Sequence, residues 1–240
     1  MDRDQESSAP IAVALDAPDI ATMSSWAMAV APEVRCLKVG LEAFCRDGHF
    51  SVEAAREAAR QAGRPDMAIF LDLKLHDIPA TVAGAARSIA DLEPTYLTVH
   101  AAGGPEMVEA AVRALPDTRV TAVTVLTSLD RGLTEELGVV GDPGEIVVRW
   151  ARLAIDAGAR ALVCSPQEVA DLRALVPADV HLITPGIRPA GTDANDQRRA
   201  ATPAQALADG SDLLVIGRPI TGQPDPRAAA AAIAQECAVR

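Results

Sequence analysis

The segment Phe70-Leu-Asp-Leu-Lys-Leu-His-Asp-Ile-Pro-Ala-Thr81 crowds two carboxylates and an amine, Asp72, Lys74 and Asp77, into a few positions. A strand sends alternate side chains to one face, so Asp72 and Lys74 are aimed the same way while Leu71, Leu73 and Leu75 turn toward the opposite side. Asp77 follows two residues beyond that strand, just before Pro79 opens a helix. An amine held between carboxylates is stabilised as ammonium, which suits a proton donor and opposes the neutral amine that Schiff-base chemistry needs. Lys74 therefore reads as an acid rather than a nucleophile.

Other polar side chains interrupt or end apolar runs: Asp16, Lys38 and His100 join Asp72 and Lys74 in this. Any one of them could be a structural ion pair, but together they mark one end of a set of strands as a site. Near the C-terminus, Leu213-Leu-Val-Ile-Gly-Arg-Pro-Ile-Thr221 runs from a strand into a turn, where Gly217 admits a ligand close to the backbone and Arg218 can clasp an anion. Thr184-Pro-Gly-Ile-Arg188 supplies a matching loop after the preceding strand, the usual pair of loops for phosphate in a barrel. A divalent-metal reading of Asp72, Asp77, His76 or His100 competes, although Lys74 already sits where charge compensation is needed. Trp26 and Trp150 read as packing residues.

These residues need elements to carry them. Apolar, β-branched runs at Ile11–Asp16, Cys36–Gly40, Ala68–Leu73, Tyr96–His100, Val120–Leu126, Ala161–Ser165, His181–Thr184 and Leu213–Gly217 predict eight strands. Alanine-rich stretches of helical period separate them, among them Val52–Ala62, Pro79–Ala90, Pro105–Ala114, Pro143–Ala157, Gln167–Leu175 and Pro203–Ala208. Eight such units in 240 residues predict a single-domain α/β chain, a (β/α)8 TIM barrel over 11–240, behind a frayed polar tail at 1–10. The polar stretch Arg188–Arg199 is a candidate lid. With 22 Lys and Arg against 33 Asp and Glu, the net charge of −11 repels a nucleic-acid backbone. No apolar run is long enough for a membrane span, no export signal opens the chain, and four scattered cysteines suit reduced thiols, so the expected location is cytoplasmic.

The pattern Asp72-x-Lys74-x-x-Asp77-Ile78-Pro79-x-Thr81 resembles the signature of the orotidine 5'-monophosphate decarboxylase family, and the resemblance runs over nearly the whole chain. Asp16 in Val-Ala-Leu-Asp, Lys38 in Leu-Lys-Val-Gly, Thr127 in Val-Leu-Thr-Ser, Arg188 in Pro-Gly-Ile-Arg-Pro, Gln197 in Asp-Gln and the pair Gly217-Arg218 follow in the family's order. His100-Ala-Ala-Gly-Gly is a variant of a strand-end segment of that family.

The resemblance implies decarboxylation of orotidine 5'-monophosphate to UMP without metal or cofactor. It implies a charged network of Lys38, Asp72, Lys74 and Asp77, in a homodimer where Asp77, Ile78 and Thr81 reach the partner's site. Asp16 and Lys38 would hold the ribose hydroxyls, Thr127 would lie near the pyrimidine, and Arg188, Gln197, Gly217 and Arg218 would grip the phosphate. Two alternatives stand beside it: a magnesium-dependent sugar-phosphate decarboxylase or aldolase on the same barrel, and a non-catalytic phosphometabolite-binding barrel.

Overall fold

The computed structural model describes residues 8–126, 131–139, 141–189 and 200–238. Strands β1 (Ala9–Ala14), β2 (Val34–Gly40), β3 (Ala68–Leu75), β4 (Tyr96–His100), β5 (Arg119–Val123), β6 (Ala161–Val163), β7 (His181–Thr184) and β8 (Leu213–Ile216) pair in parallel, in chain order, and β8 closes on β1. The helices around them are α1 (Ile20–Val30), α2 (Leu41–Asp47), α3 (His49–Gln61), α4 (Pro79–Ser88), α5 (Pro105–Ala114), α6 (Arg131–Glu136), α7 (Pro143–Asp156), α8 (Val169–Leu175), α9 (Pro203–Ala208), α10 (Arg218–Thr221) and α11 (Pro226–Ala238). This is the single-domain (β/α)8 barrel that the alternation of patterns predicts. Among the described residues, no helix is long and apolar enough to cross a membrane.

Why these runs become strands is visible in their two faces. One set of alternate residues, including Ile11, Val13, Leu37, Val39, Leu97 and Leu162, is fully buried against the helix layer. Burying each such side chain is worth roughly 1.5–3 kcal/mol. The other set points into the barrel, where Ala12, Cys36, Ala68, Phe70, Tyr96, Ala161, Ile183 and Leu213 form a separate buried cluster. Small residues there leave room for the rings of Phe70 and Tyr96, whose centroids lie 5.6 Å apart. Proline stands at the first turn of α4, α5, α7 and α9, where its missing N–H costs nothing.

Boundaries shift where side chains intervene. β1 begins at Ala9 rather than at the expected Ile11, because Ser8 is anchored: Arg35 Nη2 donates to its carbonyl at 3.2 Å and Arg64 Nη1 to its hydroxyl at 2.9 Å. β6 stops at Val163 rather than Ser165, since Ser165 starts the short turn Pro166–Glu168 that leads into α8. β3 runs on to Leu75, two residues past the expected end, and does so irregularly. Between Leu71 and Leu75 its register on β4 slips, four steps on β3 matching two on β4, and Lys74 within the slip has a left-handed φ of 49°. Asp72 and Lys74 still face one side and Leu71, Leu73 and Leu75 the helix layer, as the alternation predicts, but the backbone that carries Lys74 is irregular.

Candidate active site

The C-terminal ends of β1, β2 and β3 deliver Asp16, Lys38, Asp72 and Lys74 to one place. Lys38 Nζ lies 3.6 Å from Asp16 Oδ1 and 3.3 Å from Asp72 Oδ2, and Lys74 Nζ lies 2.6 Å from Asp72 Oδ1. The charges thus alternate along a row of four, and the row is neutral as a whole. Register explains the convergence, for β2 and β3 pair Lys38 with Phe70 and Gly40 with Asp72, setting the strand ends level. Lys38 is the most enclosed member, its side chain 7% exposed, and an ammonium so buried is tolerable only because a carboxylate stands on either side. Asp16 is the most open at 44%.

Gly40 makes the row possible. A Cβ there would stand 2.5 Å from Asp16 Oδ1 and 2.8 Å from Lys38 Nζ, so any side chain would push the pair apart. Thr98, fully buried on β4, is a second residue that the sequence reading missed. Its hydroxyl donates to Asp72 Oδ1 at 3.0 Å and accepts the Lys74 backbone N–H at 2.8 Å. Its signal was a small hydroxyl side chain in a largely apolar strand, two residues before His100 and so on the same face.

Burial alone would raise the Asp72 pKa. The Lys38 and Lys74 ammoniums, with the hydrogen bonds from Lys74 and Thr98, outweigh it and hold the carboxyl below its ordinary value. His100 is pushed down by burial first, and then by the neighbouring His76 and Lys74, so it is neutral at neutral pH. The His76 and His100 rings lie 5.3 Å apart.

Asp72 and Lys74 form one wall of a cavity of about 200 Å³. The other walls are apolar: Phe70 of β3, and Val123, Val125, Leu126, Val163, Cys164, Pro185 and Val215, drawn from β5 to β8 and the loops after them. A charge developing inside would face an ammonium on one side and hydrocarbon on the other, where electrostatic interactions are least screened. A larger groove of about 780 Å³ runs between α7 and α8, on the outer helix layer away from the strand ends. Among the described residues, no group of three or more His, Cys, Asp or Glu is arranged to hold a metal ion.

The remaining expected site residues are distributed as follows. Asp77 is not drawn to Lys74: it is exposed, its Oδ1 accepts the backbone N–H of Ile78 at 2.6 Å, and no ion pair links it to Lys74 within the chain. The expectation that both carboxylates flank Lys74 thus fails inside one subunit, because Asp77 lies past the slip in β3, on the turn into α4. Ile78 is 65% exposed and Thr81 is exposed in the first turn of α4. Arg188, after β7, donates from Nη1 to the Ile187 carbonyl at 2.9 Å. Gly217 and Arg218 end β8 and begin α10, with Arg218 exposed. Thr127, Gln197 and residues 190–199 of the expected lid lie outside the described residues.

The family described as "Orotidine 5'-phosphate decarboxylase / HUMPS family" matches residues 9–233. The chain is 64% identical over 228 residues to a protein from Thermobifida fusca (strain YX) named orotidine 5'-phosphate decarboxylase, covering 95% of each. It is 56% identical to one of the same name from Frankia casuarinae, covering 94% of this chain and 86% of that one. A crystal structure of orotidine 5'-phosphate decarboxylase from Lactobacillus acidophilus superimposes with a TM-score of 0.80 at 34% identity, covering 95% of this chain and 99% of that one. Matched from its first strand into its last helix, and this similar to relatives of nearly its own length, the chain belongs to the orotidine 5'-phosphate decarboxylase / HUMPS family.

Proposed function

We propose that this chain decarboxylates orotidine 5'-monophosphate to uridine 5'-monophosphate, the last step of de novo UMP synthesis, with Lys74 as the acid. The observation that carries the reading is the Lys74 ammonium on the wall of the apolar cavity, tethered at 2.6 Å to an Asp72 that Lys38 and Thr98 hold from its other sides. In the reaction the bond from C6 of the pyrimidine to its carboxylate breaks, CO2 leaves, and the electron pair remains on C6 in an orbital that the ring cannot delocalise. Lys74 stabilises that pair by its charge and then transfers a proton from Nζ to C6. Solvent returns the proton to the amine.

Asp72 crowds the substrate carboxylate and favours its departure. At ~4 Å and an effective dielectric of ~20, that repulsion is worth about 4 kcal/mol, whereas large enzymatic accelerations need up to ~23 kcal/mol. The preorganised ammonium therefore carries the greater share, helped by binding energy from the distant phosphate. Asp16 and Lys38 take the ribose hydroxyls, and Thr127 lies near the pyrimidine. Arg188, Gln197, Gly217 and Arg218 take the phosphate. The loops after β7 and β8 are where barrels of this kind usually bind such a group. The exposed Asp77, Ile78 and Thr81 suit a homodimer in which they complete the partner's site.

Both oxygens of Asp72 already face ammonium groups, which argues against a divalent cation there. The test follows the loss of orotate absorbance with orotidine 5'-monophosphate, with and without EDTA. Turnover that persists in EDTA and falls by roughly 10³-fold or more in Lys74→Ala is expected. Activity abolished by EDTA and restored by Mg²⁺, or undiminished in Lys74→Ala, would overturn the assignment.

A further inference from the structure

We infer that Thr98 is a positioning residue for the decarboxylation, setting where the Lys74 ammonium stands by gripping both Lys74 and the carboxylate that tethers it. The inference rests on the reading of Lys74 as the acid and adds a residue that the charged motif does not contain.

The grip occurs at the slip in β3. Where β3 advances from Leu71 to Leu75, β4 advances only from Leu97 to Val99, and Thr98 is the β4 residue left facing the surplus. The Lys74 N–H gives its hydrogen bond to Thr98 Oγ1, at 2.8 Å, instead of to a strand carbonyl. That one oxygen thus holds the backbone of a residue whose φ of 49° is uncommon for a lysine. Its hydrogen points the other way, to Asp72 Oδ1 at 3.0 Å, the same oxygen that receives Lys74 Nζ at 2.6 Å. Thr98, Asp72 and Lys74 therefore close a ring that starts at the Lys74 amide and returns at its ammonium.

The chemistry of this ring requires a hydroxyl. A carboxylate can only accept and a backbone N–H can only donate, so the group between them must do both from one small side chain. Other barrel threonines show what a merely satisfied hydroxyl does instead: Thr121 donates to the Arg119 carbonyl and Thr124 to the Val163 carbonyl. Thr98 alone of these three spends its hydrogen bonds on reacting residues. Among the described residues Asp72 has Lys38, Lys74 and Thr98 as hydrogen-bond or ion-pair partners, and the contact from Thr98 is uncharged and directed where a Coulomb attraction is not.

Two variants and one exchange measurement test this. In Thr98→Val, which keeps shape but loses the oxygen, kcat for orotidine 5'-monophosphate should fall by about 10²-fold, the scale of a displaced catalytic group. The KM, and the affinity for UMP, should stay within about threefold, since neither depends on the transition-state charge. Thr98→Ser restores the hydroxyl and should bring kcat back to within about fivefold of the parent. An unchanged kcat in Thr98→Val, or an equal loss in Thr98→Ser, would overturn the proposal. Residue-resolved amide exchange separates this from the functional reading, because it needs no turnover. The Lys74 amide should be protected in the parent and in Thr98→Ser and should exchange freely in Thr98→Val. A freely exchanging Lys74 amide in the parent would sink the grip even in an active enzyme. A parent inactive on orotidine 5'-monophosphate, with that amide protected, would sink the assigned reaction instead.

Discussion

Gly40 sets the tightest steric limit in the charged row, since a methyl group there would meet Asp16 Oδ1 at 2.5 Å and Lys38 Nζ at 2.8 Å. Asp16 can swing toward solvent, but Lys38 Nζ retreats at the expense of its 3.6 Å approach to Asp16 and its 3.3 Å approach to Asp72. Gly40→Ala is therefore expected to lower kcat/KM by roughly 10²-fold, while overpacking lowers stability by only about 1–3 kcal/mol. Unchanged steady-state kinetics in the folded variant would refute this. Asp16, Lys38, Asp72 and Lys74 were legible in the sequence because a charge inside an apolar run has few innocent explanations. Gly40 and Thr98 were not, since a glycine and a threonine at strand positions announce neither a close approach nor a double hydrogen bond. Asp77 was misplaced for the opposite reason: nearness in the chain suggested nearness in space, and the slip in β3 with the turn after it carries Asp77 outward.

Among the elements, β6 is the shortest strand, three residues between β5 and β7, and its hold on the helix layer falls largely to Leu162. Leu162→Ala should cost roughly 2–5 kcal/mol, read as a lowered urea midpoint at unchanged slope. A midpoint within error of the parent would show that neighbouring helices close the gap. All eight strands were legible, because short, mostly apolar runs rich in β-branched residues, each followed by an alanine-rich stretch of helical period, leave little ambiguity. Their ends were less so: β1 is lengthened by the anchoring of Ser8, and β6 is cut short by the turn at Ser165. Helices varied as well. α7 carries a clear apolar stripe, Ile146, Val147, Ala151 and Ala154, whereas the alanine tract of α11 has almost no contrast between its faces, and α10 is a single turn. The irregular end of β3 was invisible, since nothing in Asp-Leu-Lys-Leu marks a left-handed lysine.

For the whole molecule, the proposed homodimer can be tested by mixing subunits. Lys74→Ala and Asp77→Ala homodimers should each be nearly inactive, and equal mixing with subunit exchange should restore about a quarter of parental activity, since half the dimers then carry one intact site of two. No recovery despite exchange would place Asp77 in its own subunit's chemistry. Stability should also depend on pH through two histidines. Burial first, then the Arg119 charge, holds His181 below its ordinary 6.5, and burial with His76 and Lys74 does the same for His100. The unfolded chain then takes up these protons before the folded one, so stability is full above about pH 6.5 and declines as pH falls below it. His181 Nδ1 also meets the Tyr96 hydroxyl at 2.9 Å. In His181→Gln the decline in urea midpoint from about pH 7 to about pH 5 should be shallower, and an unaltered slope would rule out His181 as a source. The barrel interior has one more effect. Phe70, Tyr96, Ile183 and Leu213 are the large members of the buried cluster that fills the barrel. Phe70 belongs both to that cluster and to the lining of the cavity beside Asp72 and Lys74, so enlarging the chamber from below would mean unpacking the barrel itself.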